Sequence, residues 1–369
     1  MSKLLKKLEP AGGIKYLKPQ PAGGIEYRKK ELDKRLACST FIENNYKKYL
    51  KYVNKWVSHC DYEPIKIDIE NVSRCNYRCK MCQVSDWPKG KRAEDLSFGD
   101  FKNLIDSLPG LVEVKIQGMG EPTLGRSTYI KMIEYLRSKN IWVRTVTNAS
   151  LLHKSDFFKK LIDSDVNEIQ ISVDGANKEV FEKIRDKSVF ETVVANCKLI
   201  NTYCEEKGIV RTKMWTVVQK DNVHQLHDLL DLAYEMKFKH VVFTLDITGF
   251  GNKDVYDRNL GLSVESLIND SLLDSLIKKG SDLGINVYLW STSHKYNKKS
   301  ICSESFSKPY VSSDMRVVPC CVIANPETYD LGSANNIKDI WNGDNLKTFR
   351  QSHIDGNIPY VCKGCYDDE

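Results

Sequence analysis

The chain lacks any apolar run approaching the ~20 residues of a transmembrane helix, so we expect no membrane span. Its N-terminus has no apolar segment long enough for a secretory signal peptide, and the expected location is the cytoplasm. It also lacks a recognisable nucleic-acid-reading motif, although residues 1–60 carry 14 Lys or Arg against 5 Asp or Glu. We therefore expect no nucleic-acid partner. The basic segment is either a solvated arm or a surface for an acidic redox partner or an anionic substrate.

Strand-like and helical patterns alternate from Ile65 onward. The predicted strands are 65–70, 112–116, 141–146, 168–173, 209–218 and 240–245. The helical patterns between them are 97–107, 127–139, 155–163, 177–206 in two pieces, and 222–236. This alternation predicts an α/β fold with a parallel sheet. Six units are too few for a closed eight-fold barrel, so a partial (β/α)6 TIM-like barrel is expected, with its site at the carboxyl ends of the strands.

The remaining segments are predicted more coarsely. Residues 29–59 have a helical pattern, which gives an N-terminal helical arm. Glycines make 247–262 a predicted loop or linker, followed by a helix over 263–282 and a strand over 285–290. The tail is expected to hold a hairpin at 310–318 and a helix at 337–350.

Twelve cysteines are many for a cytoplasmic chain, and their spacing favours metal ligands over disulfides. Cys75, Cys79 and Cys82 form C-x3-C-x2-C in the loop after the first predicted strand. As a zinc site this triplet lacks an obvious fourth ligand nearby. Three thiolates on a four-iron cubane instead leave one iron open, which the amino and carboxylate groups of S-adenosylmethionine (SAM) can chelate. Reductive cleavage of SAM then gives a 5′-deoxyadenosyl radical that abstracts hydrogen.

This loop, Arg74-Cys75-Asn76-Tyr77-Arg78-Cys79-Lys80-Met81-Cys82, resembles the signature of the radical SAM superfamily. One departure is Met81, where the family usually has an aromatic residue. The resemblance implies that Tyr77 and Met81 lie beside the cofactor, with the Met81 backbone near the adenine. It also implies a flavodoxin- or ferredoxin-type protein as the reductant.

Further segments resemble other parts of the family's SAM site. They are Gly118-Met119-Gly120-Glu121-Pro122, Thr147-Asn148-Ala149 in place of Thr-Asn-Gly, Ser172-Val173-Asp174-Gly175, Arg185, and the strand end at Gln219. By resemblance the glycine turn with Glu121 receives the SAM ammonium, and Arg185 pairs with its carboxylate. Ser172 would contact polar groups of SAM, and Gln219 the adenine or ribose. Taken singly, these segments are also what a tight loop, a helix cap or a surface salt bridge looks like.

The second cysteine group is Cys302, Cys320, Cys362 and Cys365. Four cysteines alone would suit a zinc ribbon. The segment Asp314-Met315-Arg316-Val317-Val318-Pro319-Cys320-Cys321, however, resembles the Asp-Gly-x-Val-x-Pro-Cys hairpin of SPASM/twitch domains, with Met315 in place of glycine. Four ligands imply one auxiliary [4Fe–4S] cluster, as in the shorter twitch type. Family spacing favours Cys320 over Cys321, but the sequence leaves that choice open.

These expectations divide the chain into an arm at 1–63, a radical SAM core at 64–247, a linker with a helix and a strand at 248–300, and an auxiliary α+β cluster domain at 301–369. Because a fully ligated auxiliary cluster suits electron transfer, we expect a dehydrogenase-type oxidoreductase. The favoured substrate is a sugar- or cyclitol-like small molecule, with Asp246 as the possible proton acceptor or simply a solvated strand-end acid. Modification of a ribosomal peptide is the alternative, and a non-catalytic iron–sulfur or zinc protein is a third reading.

Overall fold

The structure is a computed structural model that describes residues 19–87, 94–247, 249–264, 267–291, 295–297 and 300–366. The first copy of the near-repeat Pro-Ala-Gly-Gly-Ile, at residues 10–14, lies outside these ranges. The second copy, at 21–25, leads into the first helix. Within the described ranges, no helix is long and apolar enough to cross a membrane.

The elements alternate along most of the chain, as expected. The strands are β1 Lys66–Ile69, β2 Arg78–Cys79, β3 Glu113–Ile116, β4 Trp142–Thr147, β5 Glu168–Ser172, β6 Arg185–Asp186, β7 Thr212–Val217, β8 His240–Thr244, β9 Asn286–Trp290, β10 Tyr310–Val311 and β11 Val317–Val318. The helices are α1 Ile25–Leu36, α2 Thr40–Tyr52, α3 Phe98–Ser107, α4 Arg126–Ser138, α5 Phe157–Asp163, α6 Lys178–Ile184, α7 Phe190–Glu206, α8 Leu226–Glu235, α9 Lys253–Leu260, α10 Asp270–Asp282, α11 Ile337–Trp341 and α12 Asp344–Ile354.

The main sheet has nine strands in the order β11-β10-β1-β3-β4-β5-β7-β8-β9. All neighbours are parallel except β10 and β11, which form the tail hairpin. Alternate residues of each strand point to opposite faces. On β1, Ile67 and Ile69 pack into the apolar core with the helices, while Lys66 and Asp68 take the other face. The partial TIM-like barrel is confirmed, with a charged interior and an apolar outer layer.

Three features differ from the predicted pattern. Helix α9 lies within the segment predicted as a loop or linker, and Asn252 caps it by accepting from the Asp254 and Val255 N–H groups. The barrel sheet extends beyond the six predicted strands, since β9 pairs parallel with β8 at one edge and β10 of the tail hairpin pairs parallel with β1 at the other. The predicted 337–350 helix is two helices, α11 and α12.

The N-terminal segment closes the amino-terminal end of the barrel. The Ala22 N–H donates to Glu168 at 3.2 Å, and His240 Nε2 lies 3.0 Å from the Ala22 carbonyl oxygen. The Arg28 guanidinium lies over the Trp142 ring. The opposite end, where the strands finish, carries the predicted cysteine loop.

Candidate functional site

The cysteine loop is anchored by a two-stranded sheet of its own. Strand β2 pairs antiparallel with β6, which places Cys79 opposite Arg185. The Lys80 N–H donates to the Ile184 carbonyl at 3.0 Å, and the Arg185 Nη1 lies 3.8 Å from the Cys79 sulfur. An arginine of β6 therefore lies beside one of the thiols of the loop.

The three thiols of this loop share one half-buried environment. Burial, with Glu121 and the neighbouring thiols adding to its effect, raises the pKa of Cys75 to about 12. Burial also raises the pKa of Cys79 to about 12, where Arg185 opposes the rise and Cys82 adds to it. Within the described ranges, no group of three or more His, Cys, Asp or Glu side chains is placed to hold a single metal ion. A cubane takes each thiolate on a different iron, and its positive irons supply what such thiols need to ionise. The loop thus fits a [4Fe–4S] cluster.

Helix α9 holds the carbonyls of this loop. Asn259 Nδ2 donates to the Met81 carbonyl at 3.1 Å, and Arg258 Nη2 donates to the Cys82 carbonyl at 3.1 Å. Neither residue was among the predicted site residues. The only local signal was the Asn252 cap with Asp254 in the first turn, which the surrounding glycines obscured.

The glycine turn after β3 approaches the cysteine loop closely. A Cβ at Gly120 would lie 2.6 Å from the Arg74 carbonyl oxygen, and one at Gly118 would collide with the Glu70 side chain. The Glu121 N–H donates to the Arg74 carbonyl at 3.0 Å. Both glycines are therefore required by space next to Cys75.

The Glu121 carboxylate joins two of the predicted segments. It accepts from Thr147 Oγ1 at 2.7 Å and from the Asn148 N–H at 2.8 Å, and also from Thr123 Oγ1 at 2.6 Å. Burial raises the pKa of Glu121 although these donors oppose the rise. Asn148 Nδ2 in turn donates to Asn76 Oδ1 at 3.0 Å. The structure thus brings the second and third strand ends against the cysteine loop.

Arg185 and Asp174 form a buried ion pair. An Arg185 Nη2 lies 2.6 Å from a carboxylate oxygen of Asp174, and both side chains are buried. The Val217 N–H donates to the other Asp174 oxygen at 2.8 Å. Arg185 ends α6 rather than lying within it. Ser172 lies half-buried at the end of β5.

Gln219 and Met81 lie side by side in the same region. The Gln219 Nε2 is 4.0 Å from the Met81 sulfur. The Gln219 Oε1 is buried and has no hydrogen-bond partner among the described residues. Tyr77 is buried in the loop, where burial raises its pKa and Arg185 opposes the rise. A buried acceptor beside Met81 suits an amino group such as that of adenine.

The four C-terminal cysteines share a second half-buried environment. Burial is the main cause of the raised pKa of each; Cys302, Cys362 and Cys321 add to the rise at Cys320, and Cys302 and Cys365 to that at Cys362. The Cys302 N–H donates to the Tyr366 hydroxyl at 2.8 Å. This set of sulfurs fits a second iron–sulfur cluster.

Cys321 lies beside charged groups of the barrel interior. Its sulfur is 3.7 Å from the Lys308 ammonium. Burial raises the pKa of Cys321 to about 12, with Lys308 and Lys115 opposing the rise and Asp68 and Glu304 adding to it. Cys320 differs in its surroundings, because apart from Cys321 the charges that act on its thiol are those of Cys362 and Cys302.

Asp246 follows β8 and is buried rather than solvated. The Ser291 hydroxyl donates to its Oδ2 at 2.5 Å. Its charge also adds to the raised pKa of Cys365. Asp246 is therefore between the barrel interior and the second cysteine group.

Two family profiles match the chain. The Radical SAM superfamily profile matches residues 71–233, and the profile of the SPASM iron–sulfur cluster-binding domain matches residues 302–366. The chain belongs to the radical SAM superfamily. This radical SAM protein also carries a SPASM domain, which spans the hairpin and all four C-terminal cysteines.

Relatives share part of the chain. It is 30% identical over 218 residues to "Mycofactocin maturase MftC" of Mycolicibacterium smegmatis, covering 59% of this chain and 53% of the relative. It is 37% identical over 139 residues to "GTP 3',8-cyclase" of Aliarcobacter butzleri, covering 35% of this chain and 41% of the relative. The chain thus spans about half or less of the length of these curated relatives.

A solved structure shares the fold. The crystal structure of Streptococcus suis SuiB bound to precursor peptide SuiA aligns with a TM-score of 0.62 at 16% identity, covering 83% of this chain and 70% of that one. At this identity the likeness shows the shared fold alone.

Proposed function

We propose that this radical SAM protein modifies a side chain or backbone position of a peptide. The observation that carries the proposal is the 218-residue match to a mycofactocin maturase, together with the SPASM domain. The match to GTP 3',8-cyclase is shorter, at 139 residues, and informs the substrate less. The sequence alone favoured a sugar- or cyclitol-like substrate, but the relatives favour the peptide alternative.

The cofactor site would be held by the residues already brought together at the strand ends. A [4Fe–4S] cluster on Cys75, Cys79 and Cys82, when bound, supplies the electron that reductively cleaves SAM to the hydrogen-abstracting radical. We assign the SAM ammonium to the turn at Gly118–Glu121. We assign the SAM carboxylate to Arg185, which would pair with it. Arg185 keeps its charge because Asp174 raises its pKa against the effect of burial.

The remaining contacts would position the other end of SAM. Gln219 offers a buried oxygen next to Met81, which suits the adenine amino group. Thr147 and Asn148 fix Glu121 and so the shape of the turn. Ser172 and Tyr77 lie on the same side of the barrel and complete the proposed cofactor contacts.

The SPASM cysteines would hold one auxiliary [4Fe–4S] cluster, on Cys302, Cys320, Cys362 and Cys365. Four clustered thiols support one such cluster, which gives two clusters in all. Asp246 Oδ2, next to Ser291 and close to Cys365, is our candidate to take the proton when the substrate is oxidised. A flavodoxin- or ferredoxin-type donor remains our proposal for the reductant.

Hydrogen transfer from a peptide tests the proposal directly. Reconstituted protein, SAM and dithionite would be incubated with deuterated synthetic precursor peptides and, separately, with deuterated sugars and cyclitols. We expect deuterium in the 5′-deoxyadenosine by mass spectrometry, and none with a variant carrying Cys75→Ala, Cys79→Ala and Cys82→Ala. Deuterium transfer from sugars or cyclitols but not from peptides would overturn the peptide assignment.

A further inference from the structure

The barrel interior is lined by charged side chains that mostly neutralise one another. Glu113 lies 2.8 Å from Arg28 and 3.2 Å from Arg144. Glu168 lies 3.1 Å from Arg144 and 2.8 Å from Lys213. These pairs fill the end of the barrel that the N-terminal segment closes, so both acids there are already matched.

The acids nearer the SPASM domain are matched as well. Lys308 lies 2.7 Å from Glu304 and 3.5 Å from Asp68. Asp68 also accepts from Gln117 Nε2 at 2.8 Å. The carboxylates on this side therefore already have donors of their own.

Lys115 is a cation of the barrel interior that forms none of these ion pairs. It sits in register between Asp68 on β1 and Arg144 on β4, so its side chain shares their inward face. In the part of the chain that the structure describes, no carboxylate lies within ion-pair distance of its ammonium. Burial and repulsion from Arg144 and Lys308 lower the pKa of Lys115 to about 8, against the attraction of Asp68 and Cys321.

Gln170 adds a second donor on the same inward face. It is two residues from Glu168 on β5, and Glu168 points inward to Arg144 and Lys213. The Gln170 side chain is 4% exposed, and its Nε2 is buried with no acceptor among the described residues. A buried amide donor without an acceptor is costly unless a ligand supplies one.

We propose that Lys115 and Gln170 form an anion-binding subsite in the barrel interior that takes a carboxylate of the substrate. An ammonium and an amide N–H are together suited to the two oxygens of one carboxylate. In the strand register Lys115 lies opposite Arg144 and Gln170 lies opposite Val146, so the subsite spans two successive inward positions on the amino-terminal side of the strand ends that carry the cysteine loop. Only the identity of the carboxylate carrier, a peptide, rests on the function proposed above.

The subsite is testable without turnover. The protein with its clusters reconstituted is trace-labelled anaerobically with acetic anhydride, and acetylation of Lys115 is compared with that of the exposed Lys29 in the same digest. The probes are N-acetylglycine for a chain-end carboxylate, N-acetylglutamate α-amide for a side-chain carboxylate, and N-acetylglycinamide as the uncharged control, all at equal ionic strength.

We expect a severalfold slower acetylation of Lys115, and not of Lys29, with one or both acids and no slowing with the amide. The more protective acid identifies the source of the carboxylate. Equal protection by the amide, or none by either acid, overturns the subsite. The subsite is also overturned if the acetylation rate of Lys115 changes only when the clusters are removed, because Lys115 would then serve to balance the charge of a cluster. Because no SAM is cleaved, a failed hydrogen-transfer assay leaves this result readable.

Discussion

Arg185 lies 2.6 Å from Asp174 and 3.8 Å from the sulfur of Cys79, so one guanidinium joins the end of the fourth barrel unit to the cysteine loop. The family resemblance implied a partner for Arg185 in the SAM carboxylate. The structure adds a protein partner, and with it a reason why the arginine stays charged while buried. An uncompensated buried charge is expensive, so the pair behaves as a unit.

Replacing Asp174 by Asn should therefore damage the cysteine loop. The substitution keeps the side-chain shape but leaves the buried Arg185 without its counter-charge, which we expect to cost about 3–5 kcal/mol of stability. Chemical denaturation and iron content per chain measure the effect. Asp186→Asn, at an exposed position of the same strand β6, is the control and should change stability by less than about 0.5 kcal/mol. Equal behaviour of the two variants would contradict the role of the pair.

Gly120→Ala should prevent the cysteine loop from packing against the turn after β3. The new methyl group would meet the backbone carbonyls of Val72 and Arg74, which cannot move without displacing Cys75. We expect most of the first cluster's iron to be lost while the SPASM iron is retained. The control is Gly99→Ala in the first turn of α3, where the nearest atom is 3.7 Å from the added carbon. Full iron content in Gly120→Ala would show that the close approach has no consequence.

Cys320 and Cys321 should differ in their effect on the auxiliary cluster. The thiols of Cys321, Cys362 and Cys302 act on that of Cys320, whereas the Cys321 sulfur lies 3.7 Å from the Lys308 ammonium. In a background with Cys75, Cys79 and Cys82 replaced by Ala, we expect Cys321→Ser to keep about four irons and Cys320→Ser to lose them. Iron analysis and electron paramagnetic resonance after reduction distinguish the two. The reverse pattern would make Cys321 the ligand.

His240 should make the fold acid-sensitive. Burial is the main cause that lowers its pKa from 6.5 to about 4. Below pH about 6.5 the imidazole of His240 binds a proton in the unfolded chain but stays neutral in the folded one. The contribution of neutral His240 to the free energy of unfolding is therefore complete above pH about 6.5 and is lost as the pH falls to about 4. The loss amounts to about 3 kcal/mol, and His240→Gln should remove it from the pH profile of unfolding. The exposed control His59→Gln should leave the slope as in the parent; an unchanged slope in His240→Gln would contradict the assignment.

The strands and their motifs were predictable because their signals are local. Short runs of apolar and β-branched residues predict the parallel strands, and a motif of the site follows each run in the sequence. Ala149 and Met315, which stand where the resemblance has glycine, adopt φ of 60° and 59°. This is the left-handed region that favours glycine, and it explains the family's preference there.

Other parts of the site were not predictable because they are set by tertiary contacts. Nothing near Lys253–Leu260 in the sequence says that Arg258 and Asn259 reach the carbonyls of the cysteine loop. The pairing of β9 with β8 depends likewise on how the chain returns to the sheet edge. The Asp174 partner of Arg185 and the unpaired Lys115 follow from side chains that meet only in the folded barrel.

Formation of 5′-deoxyadenosine tests the central claim most directly. Anaerobically reconstituted protein, reduced with dithionite and supplied with SAM, should release 5′-deoxyadenosine and methionine. The variant with Ala at Cys75, Cys79 and Cys82 should release neither while still holding about four irons. No 5′-deoxyadenosine from the parent protein with a full complement of iron would contradict the account.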